Sequence, residues 1–300
     1  MPMTNRIVEI SDQVAGLKIS NRLLEISLQS GQKLTVVPTD ISVLLLSTPH
    51  VRLSQAVLSS VTEAGGFVVV VNNRFLPSGM LLPLDAHSTQ SEIMRVQVEA
   101  GLPLKKRLWK QIVQQKIIAQ GHLLQKLHGD DSGLFSLAER VRSGDSENIE
   151  ARASRKYWQK IFKNSRFIRD RGAEDQNMLL NYGYTVLRAC VARAICAAGL
   201  HPSFGLHHHN RYNAFCLADD LMEPFRPLVD LVVVEMDQQD TPDYQLTPDV
   251  KRQLLLPLTR DVQTERGNEK LFALLSRTAA SLVRCFRGES SGLILPEKIK

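Results

Sequence analysis

Near residue 85 the hydrophobic pattern of this chain changes period, and no single-layer architecture accommodates both halves. Before that point the apolar stretches are short, β-branched and punctuated. Arg6–Ile10, Gly16–Ile19, Leu23–Leu28, Lys33–Val37 and Phe67–Val71 are predicted as strands, with turns at Ser30-Gly31-Gln32 and Pro38-Thr39-Asp40. One helix interrupts them over Ser54–Glu63, where Ala56, Val57 and Val61 recur at helical spacing and Gly65-Gly66 supplies the stop. Beyond Asp85 the segments lengthen and take a 3.6-residue period, starting at Thr89, whose Glu92 three residues on is a capping-box signal. Leu104–Leu127 places Leu104, Leu108, Ile112 and Val113 on one stripe, while Lys105, Lys106 and Lys110 fall elsewhere. Further helices are expected over Leu134–Val141, Ile149–Phe162, Asp175–Ala198, Asp220–Val234 and Glu269–Arg287, followed by a loosely held tail from Ser290 to Lys300. The fold class is therefore α+β: a β-rich domain over residues 1–86, then a larger all-helical domain over residues 87–300. A length of 300 residues suffices for two such cores.

Composition narrows the function classes. With 43% hydrophobic and 23% charged residues the chain is of the globular type. Its apolar runs, such as Phe67–Val71 and Leu231–Val234, fall far short of the ~18 residues of a membrane span, so no membrane role is expected. The opening MPMTNRIVEISD has no secretory signal pattern. Cys190, Cys196, Cys216 and Cys285 form no C-x-x-C pair and have no zinc-finger spacing, which fits free thiols in a reducing cytoplasm. The net charge of +6 says little, but its distribution says more. Between Ala151 and Arg171, Arg152, Arg155, Lys156, Lys160, Lys163, Arg166, Arg169 and Arg171 face a single acid, Asp170. Such a density is either a solvated helix face or a surface for phosphates.

The segment Gly205-Leu206-His207-His208-His209-Asn210 sets three imidazoles side by side, of which one or two can face a single site. Twelve residues past His208 comes Asp220, then Glu223, at the i, i+3 spacing that shares one helix face; Asp219 points elsewhere. Carboxylates near one imidazole make an oxygen-rich site suited to Mg²⁺ or Mn²⁺. Each piece also has an ordinary structural reading: a surface loop for the His triplet, and compensation of the helix dipole for the acids. Glu150, at the head of the basic helix, is equally a third ligand or a salt-bridge partner. No G-x-S-x-G elbow, phosphate loop, dinucleotide fingerprint or H-E-x-x-H is present.

The stretch from Asp175 through Asn181-Tyr182-Gly183-Tyr184, Gly199-Leu200-His201-Pro202, Gly205-Leu206-His207-His208, Asn210-Arg211-Tyr212-Asn213-Ala214-Phe215 and Leu217-Ala218-Asp219-Asp220-Leu221-Met222-Glu223-Pro224-Phe225-Arg226-Pro227 resembles the CRISPR-associated endonuclease and integrase that inserts new spacers into the CRISPR array. The version accompanying type II systems is the most similar. The resemblance covers most of the chain and is specific between Asp175 and Arg226. It implies a catalytic metal site of Glu150, His208 and Glu223 holding Mg²⁺ or Mn²⁺, with Asp220 auxiliary and Ala153 and Tyr157 at the family's spacing after Glu150. Ala151 departs mildly from a position that is often Gly. His207 and His209 are out of phase with the motif and are expected to support it or to touch DNA.

The activity implied is transfer of a DNA 3′-hydroxyl onto a target phosphodiester. Arg152, Arg155, Lys156, Lys163, Arg166, Arg169 and Arg171 are candidates for phosphate contacts. The implied partners are double-stranded DNA, as incoming fragment and CRISPR repeat, a second copy of the chain paired through the β-rich domain, and a smaller dimeric adaptation protein in a heterohexamer. Two rival functions share these residues: a nuclease that only hydrolyses DNA, and a catalytically silent DNA-binding subunit.

Overall fold

A computed structural model describes residues 6–72, 77–83, 87–162, 167–170, 172–259, 261–264 and 267–297. The chain divides into two compact units, Met1–Ser88 and Thr89–Lys300. Residues 84–86, where the sequence changes period, lie outside the described residues.

The first unit is built from short strands, as its alternation requires. β1 (Arg6–Ile10), β2 (Val14–Ser20), β3 (Leu23–Leu28) and β4 (Lys33–Val36) are followed by β5 (Ile41–Leu46), β6 (Arg52–Leu53), α1 (Gln55–Glu63), β7 (Phe67–Val71) and β8 (Pro77–Leu81). One sheet has the order β1-β5-β7-β8 and the other β4-β3-β2-β6. In the first, β1, β5 and β7 run parallel with Val43 opposite Phe67, and β8 closes it antiparallel. The β2–β3 hairpin turns at Asn21 and Arg22, both at positive φ, which twists the two-residue turn to match the strands. Ile10, Ile41, Leu44, Leu17, Leu24, Val57 and Val61 meet in one core between the sheets and α1. Each such side chain contributes about 1.5–3 kcal/mol by leaving water.

β5 is the one central strand that periodicity does not reveal. All six of its residues are buried, so Ile41–Leu46 shows no alternation, as expected for a parallel strand covered on both faces.

The second unit comprises α2 (Gln90–Glu99), α3 (Leu102–His128), α4 (Leu134–Glu139), α5 (Ile149–Trp158), α6 (Gln176–Ala197), α7 (Cys216–Met222), α8 (Arg226–Asp237), α9 (Pro248–Leu255), β9 (Asp261–Thr264), β10 (Gly267–Lys270) and α10 (Leu271–Phe286). α3 is the hub, touching α4, α5, α7, α8 and the 3-10 turn Glu223–Phe225. α6 carries α7, α8, α9 and α10 around it. It approaches α8 so closely at Gly183 that an added Cβ would stand 2.4 Å from Val229 Cγ1.

Four expectations need correction. The second unit is not all-helical: β9 and β10 pair antiparallel, and the helix expected from Glu269 starts only at Leu271 because Glu269 and Lys270 are committed to that ladder. The helix expected over Asp220–Val234 is broken at Glu223–Phe225, where Pro224 has no N–H to donate and crowds the preceding turn. α2 does begin after Thr89, but the Thr89 side chain makes no cap hydrogen bond, and Glu92 pairs with Arg287 at 2.7 Å. The tail is tied down as far as Glu297: Gln111 binds Ser291 O and Leu293 N, Thr278 binds Ile294 O, and Gln115 binds Glu297 O.

Candidate active site

Three elements bring the acids together. α5 begins where Asp145 accepts the backbone N–H groups of Ile149 and Glu150 at 2.8 and 3.0 Å. This anionic cap satisfies two of the free donors at the helix start and sets the direction in which Glu150 leaves. The buried stripe Ile149, Ala153 and Tyr157 fixes the roll of α5. Glu150 thereby meets α3 at Lys116, with Oε1 2.6 Å from Nζ. From the 3-10 turn, Glu223 Oε2 reaches the same Nζ at 2.7 Å, and its Oε1 pairs with Arg226 at 2.9 Å.

Lys116 and Glu223 are both buried. Burial opposes the charged ammonium of Lys116, but Glu223 and Glu150 outweigh it, and its pKa stands above the ordinary lysine value. Burial likewise opposes the Glu223 carboxylate, yet Arg226 and Lys116 hold its pKa below the usual range. The contact between Glu223 Oε2 and Lys116 is close without the angles of a hydrogen bond, so this buried oxygen has no hydrogen-bond partner among the described residues.

The histidine loop is organised by Asp220, which is fully buried. Its Oδ2 accepts the N–H groups of Leu206 and His207 at 2.6 and 3.0 Å, and its Oδ1 accepts His208 N at 3.3 Å and faces His208 Nδ1 at 2.5 Å. With the carboxylate accepting, Nδ1 carries the proton and Nε2 presents its lone pair on the far side of the ring. The Asp220 hydrogen bond raises the His208 pKa above the ordinary imidazole value, against burial. Gly205 is required for this turn, since a Cβ there would lie 2.4 Å from His208 O and 3.0 Å from Asp220 Oδ2.

His207 stacks on Trp109 of α3, with ring centroids 4.4 Å apart and planes 2° from parallel, and burial lowers its pKa. His209 stays exposed, its Nδ1 against the His207 carbonyl. Asp219 pairs with Arg188 and accepts from Asn213.

The structure thus joins Glu150 and Glu223 on one ammonium and holds His208 on Asp220, three positions before Glu223, where the Glu223 charge adds to the rise of the imidazole pKa. Among the described residues no three His, Cys, Asp or Glu side chains stand as a ready ligand cage. The donor set nevertheless suits a hard divalent cation: two carboxylates already sharing a positive charge, a buried oxygen without a hydrogen bond, and an imidazole whose other nitrogen is fixed by a carboxylate. Asp220 and Glu223 keep helical backbone between them but take different partners, Asp220 the histidine loop and Glu223 α3.

Of the basic residues, Arg152, Arg155 and Lys156 are exposed on the outer side of α5. Lys163, Arg166 and Arg171 lie outside the described residues. Arg169 points inward, its guanidinium bound to Asn177 and Asn181 at 2.7 and 2.6 Å and set over the Tyr184 ring. Those contacts hold the segment before α6 and engage the donors that a phosphate would need.

Three positions escaped the sequence reading. Lys116 follows Trp109 and Val113 along one stripe of α3, so a cation at a core position was the available signal. Asp145 lies three residues before the N-cap Asn148, further back than an ordinary cap contact, so no local capping pattern marks it. Gln97 of α2 reaches across the unit to accept His201 N at 2.8 Å and donate to His201 O and Phe204 O at 2.9 and 3.2 Å, clamping the start of the histidine loop. Nothing local in its sequence announces that contact.

A family model described as "CRISPR associated protein Cas1" matches residues 8–249. The CRISPR-associated endonuclease Cas1 of Neisseria meningitidis serogroup C (strain 8013) is 36% identical over 267 residues, which cover 88% of this chain and 87% of that protein. Among solved structures, a casposase bound to integration product aligns with a TM-score of 0.80 at 18% identity, over 96% of this chain and 92% of that one. A chain of a Cas6-RT-Cas1–Cas2 complex aligns with a TM-score of 0.75 at 17% identity, over 100% of this chain and 37% of that longer one. At such identities the structural likeness concerns the fold.

Proposed function

The chain belongs to the CRISPR associated protein Cas1 family, and from that membership we propose that its reaction is metal-assisted cutting and joining of DNA at Glu150, His208 and Glu223. It is a CRISPR-associated endonuclease by family, and the joining reaction inserts short DNA fragments into a CRISPR array. The observation that carries the site assignment is the convergence of Glu150 and Glu223, from distant elements, on the ammonium of Lys116 beside His208.

Mg²⁺ or Mn²⁺, when bound by these three side chains, supplies Lewis-acid polarisation of the scissile phosphate. The protein's own part is positioning. Asp220 holds the Nδ1 proton of His208 and thereby fixes the direction of Nε2. The N–H groups of Leu206 and His207 on Asp220 keep the loop from turning away. Trp109, packed flat on His207, shields the inner side of the loop from water. Arg152, Arg155 and Lys156 hold DNA phosphates without reading bases. In joining, a 3′-hydroxyl oxygen bonds to phosphorus as the bond to the departing 3′ oxygen breaks; in cutting, water replaces the hydroxyl.

The working assembly in this reading is a dimer paired through the β-rich unit, acting with a dimeric Cas2-type partner in a heterohexamer and on double-stranded DNA. The solved complexes of like fold support DNA and a Cas2 partner. Exposed Leu34 and Val37, on and just past edge strand β4, suit pairing between copies. The four cysteines are free and buried, and no described helix is long and apolar enough to cross a membrane, which is consistent with a cytoplasmic site of action. The test is a joining assay with a duplex bearing a 3′-hydroxyl and a CRISPR repeat. Joined product that requires Mg²⁺ or Mn²⁺ is expected, and product formed equally in chelator overturns the reading.

A further inference from the structure

Lys116 is an unusual neighbour for a metal site. Its ammonium is buried in the middle of α3, 2.6 Å from Glu150 and 2.7 Å from Glu223, at the place between the two carboxylates where a divalent ion held by both would sit. Burying an ammonium costs several kcal/mol unless close counter-charges offset it, and here two carboxylates do so. Lys116 Nζ fills the space between Glu150 Oε1 and Glu223 Oε2, so an ion held by the same two oxygens cannot enter while the ammonium stays.

One resident cation must therefore move. Arg226 is held twice, by Glu223 Oε1 and by the face of Tyr184, 4.6 Å from the ring centroid. Lys116 is held by one hydrogen bond, to Glu150 Oε1 at 2.6 Å, and meets Glu223 Oε2 at 2.7 Å without hydrogen-bond geometry; no ring among the described residues covers its ammonium, and a lysine stem is flexible.

We propose that Lys116 is a place-holding cation: it keeps Glu150 and Glu223 together in the metal-free chain and must withdraw for the divalent ion to bind, so that metal entry is an exchange of cations. This rests on the metal-site reading above. Lys116 is accordingly a positioning residue that weakens metal binding while it preserves the site.

The experiment measures Mn²⁺ affinity of the full-length chain by calorimetry and by the electron spin resonance of bound Mn²⁺, in the wild type, Lys116→Met, Lys116→Gln, Lys116→Arg and Glu223→Gln. Removing a charge some 3 Å from the carboxylates is expected to tighten Mn²⁺ binding roughly tenfold or more in Lys116→Met and Lys116→Gln. Their melting temperatures should fall without metal and recover with it. Lys116→Arg, which keeps the charge, should stay near the wild-type affinity. Lys116→Gln retains an amide donor for the carboxylates, so the question is answered even if Lys116→Met fails to fold. Mn²⁺ binding that is unchanged or weaker in both neutral variants overturns the proposal, whereas loss of binding in Glu223→Gln alone leaves the site reading standing. Wild-type binding in Glu223→Gln overturns both.

Discussion

Asp220 and Glu223 lie three positions apart, both buried, yet they are stabilised by opposite means. Asp220 is held by hydrogen bonds: three backbone N–H groups and the His208 imidazole converge on its oxygens. Glu223 is held by charge: Lys116 and Arg226 flank it, and its Oε2 has no hydrogen-bond partner among the described residues. Hydrogen bonds fix direction, while an ion pair fixes little beyond distance. The first carboxylate is therefore bound into the shape of the loop, and the second remains free to exchange one cation for another. The backbone between the two acids stays helical, so the division comes from what packs on each: the histidine loop on Asp220 and α3 on Glu223.

The largest effect that sharpens this contrast comes from truncating the two acids. Glu223→Ala is expected to abolish both joining and cutting, because under the proposed function it removes a metal ligand and a negative charge together. Asp220→Asn, which keeps an acceptor oxygen, should lower both about 10- to 100-fold, the usual cost of losing a partner that orients a metal-binding imidazole. Strand joining across a Mn²⁺ titration, with melts in parallel, measures this. Full rescue of Glu223→Ala by excess Mn²⁺, with Asp220→Asn inactive throughout, would show the roles to be reversed.

A third buried carboxylate tests how far hydrogen bonds, with more distant cations, keep a charge in the interior. Asp230 of α8 accepts the hydroxyl of Tyr157 at 2.6 Å and that of Tyr184. Burial raises its pKa to about 6, and the two tyrosines, with Arg226 and Arg169, offset this only in part. A folded-state pKa above the unfolded one means that the native chain holds the proton more tightly. The stability so gained is complete below about pH 4 and is lost as pH rises through about 6. Asp230→Asn removes that slope, so wild-type stability measured relative to the variant should decline between pH 4 and 6.5 and then level off. Denaturation curves at several pH values that run parallel would show that Asp230 titrates normally. Smaller effects are expected here than at Glu223, because no ligand is lost.

These contrasts also mark what the sequence could and could not disclose. The fold class follows from a change of period, and β2, β3, α1, α3 and α6 follow from alternation, stripes and caps within a few residues. Ile41–Leu46 escaped because a strand buried on both faces has no alternation to detect. The β9–β10 hairpin escaped because Asp261–Thr264 and Gly267–Lys270 are short and polar. In the candidate site, Glu150, His208, Glu223 and Asp220 were singled out through resemblance to a family motif, and the structure adds the Lys116 contact that joins two of them. Lys116 and Gln97 depend on contacts across 34 and 104 positions, and such contacts exist only after folding. Arg169 shows the converse limit: a basic run counts charges but does not distinguish a guanidinium facing solvent from one bound to Asn177 and Asn181.

The smallest effect separates the two sides of α5, whose inner side presents Glu150 to Lys116 while Arg152 and Arg155 stand exposed outside. Replacing both arginines with Ala should leave stability within about 0.5 kcal/mol, since neither side chain is buried. Binding of duplex DNA should weaken for all sequences alike. The slope of log affinity against log salt should flatten by about 0.9 for each phosphate that is no longer neutralised, because fewer counterions are released from the duplex. Metal affinity should not change, because the charges removed point away from the carboxylates. Measured from 50 to 200 mM salt, a slope identical to the wild type would make these arginines a solvated face, and the basic contribution to DNA binding would then have to come from elsewhere on the chain.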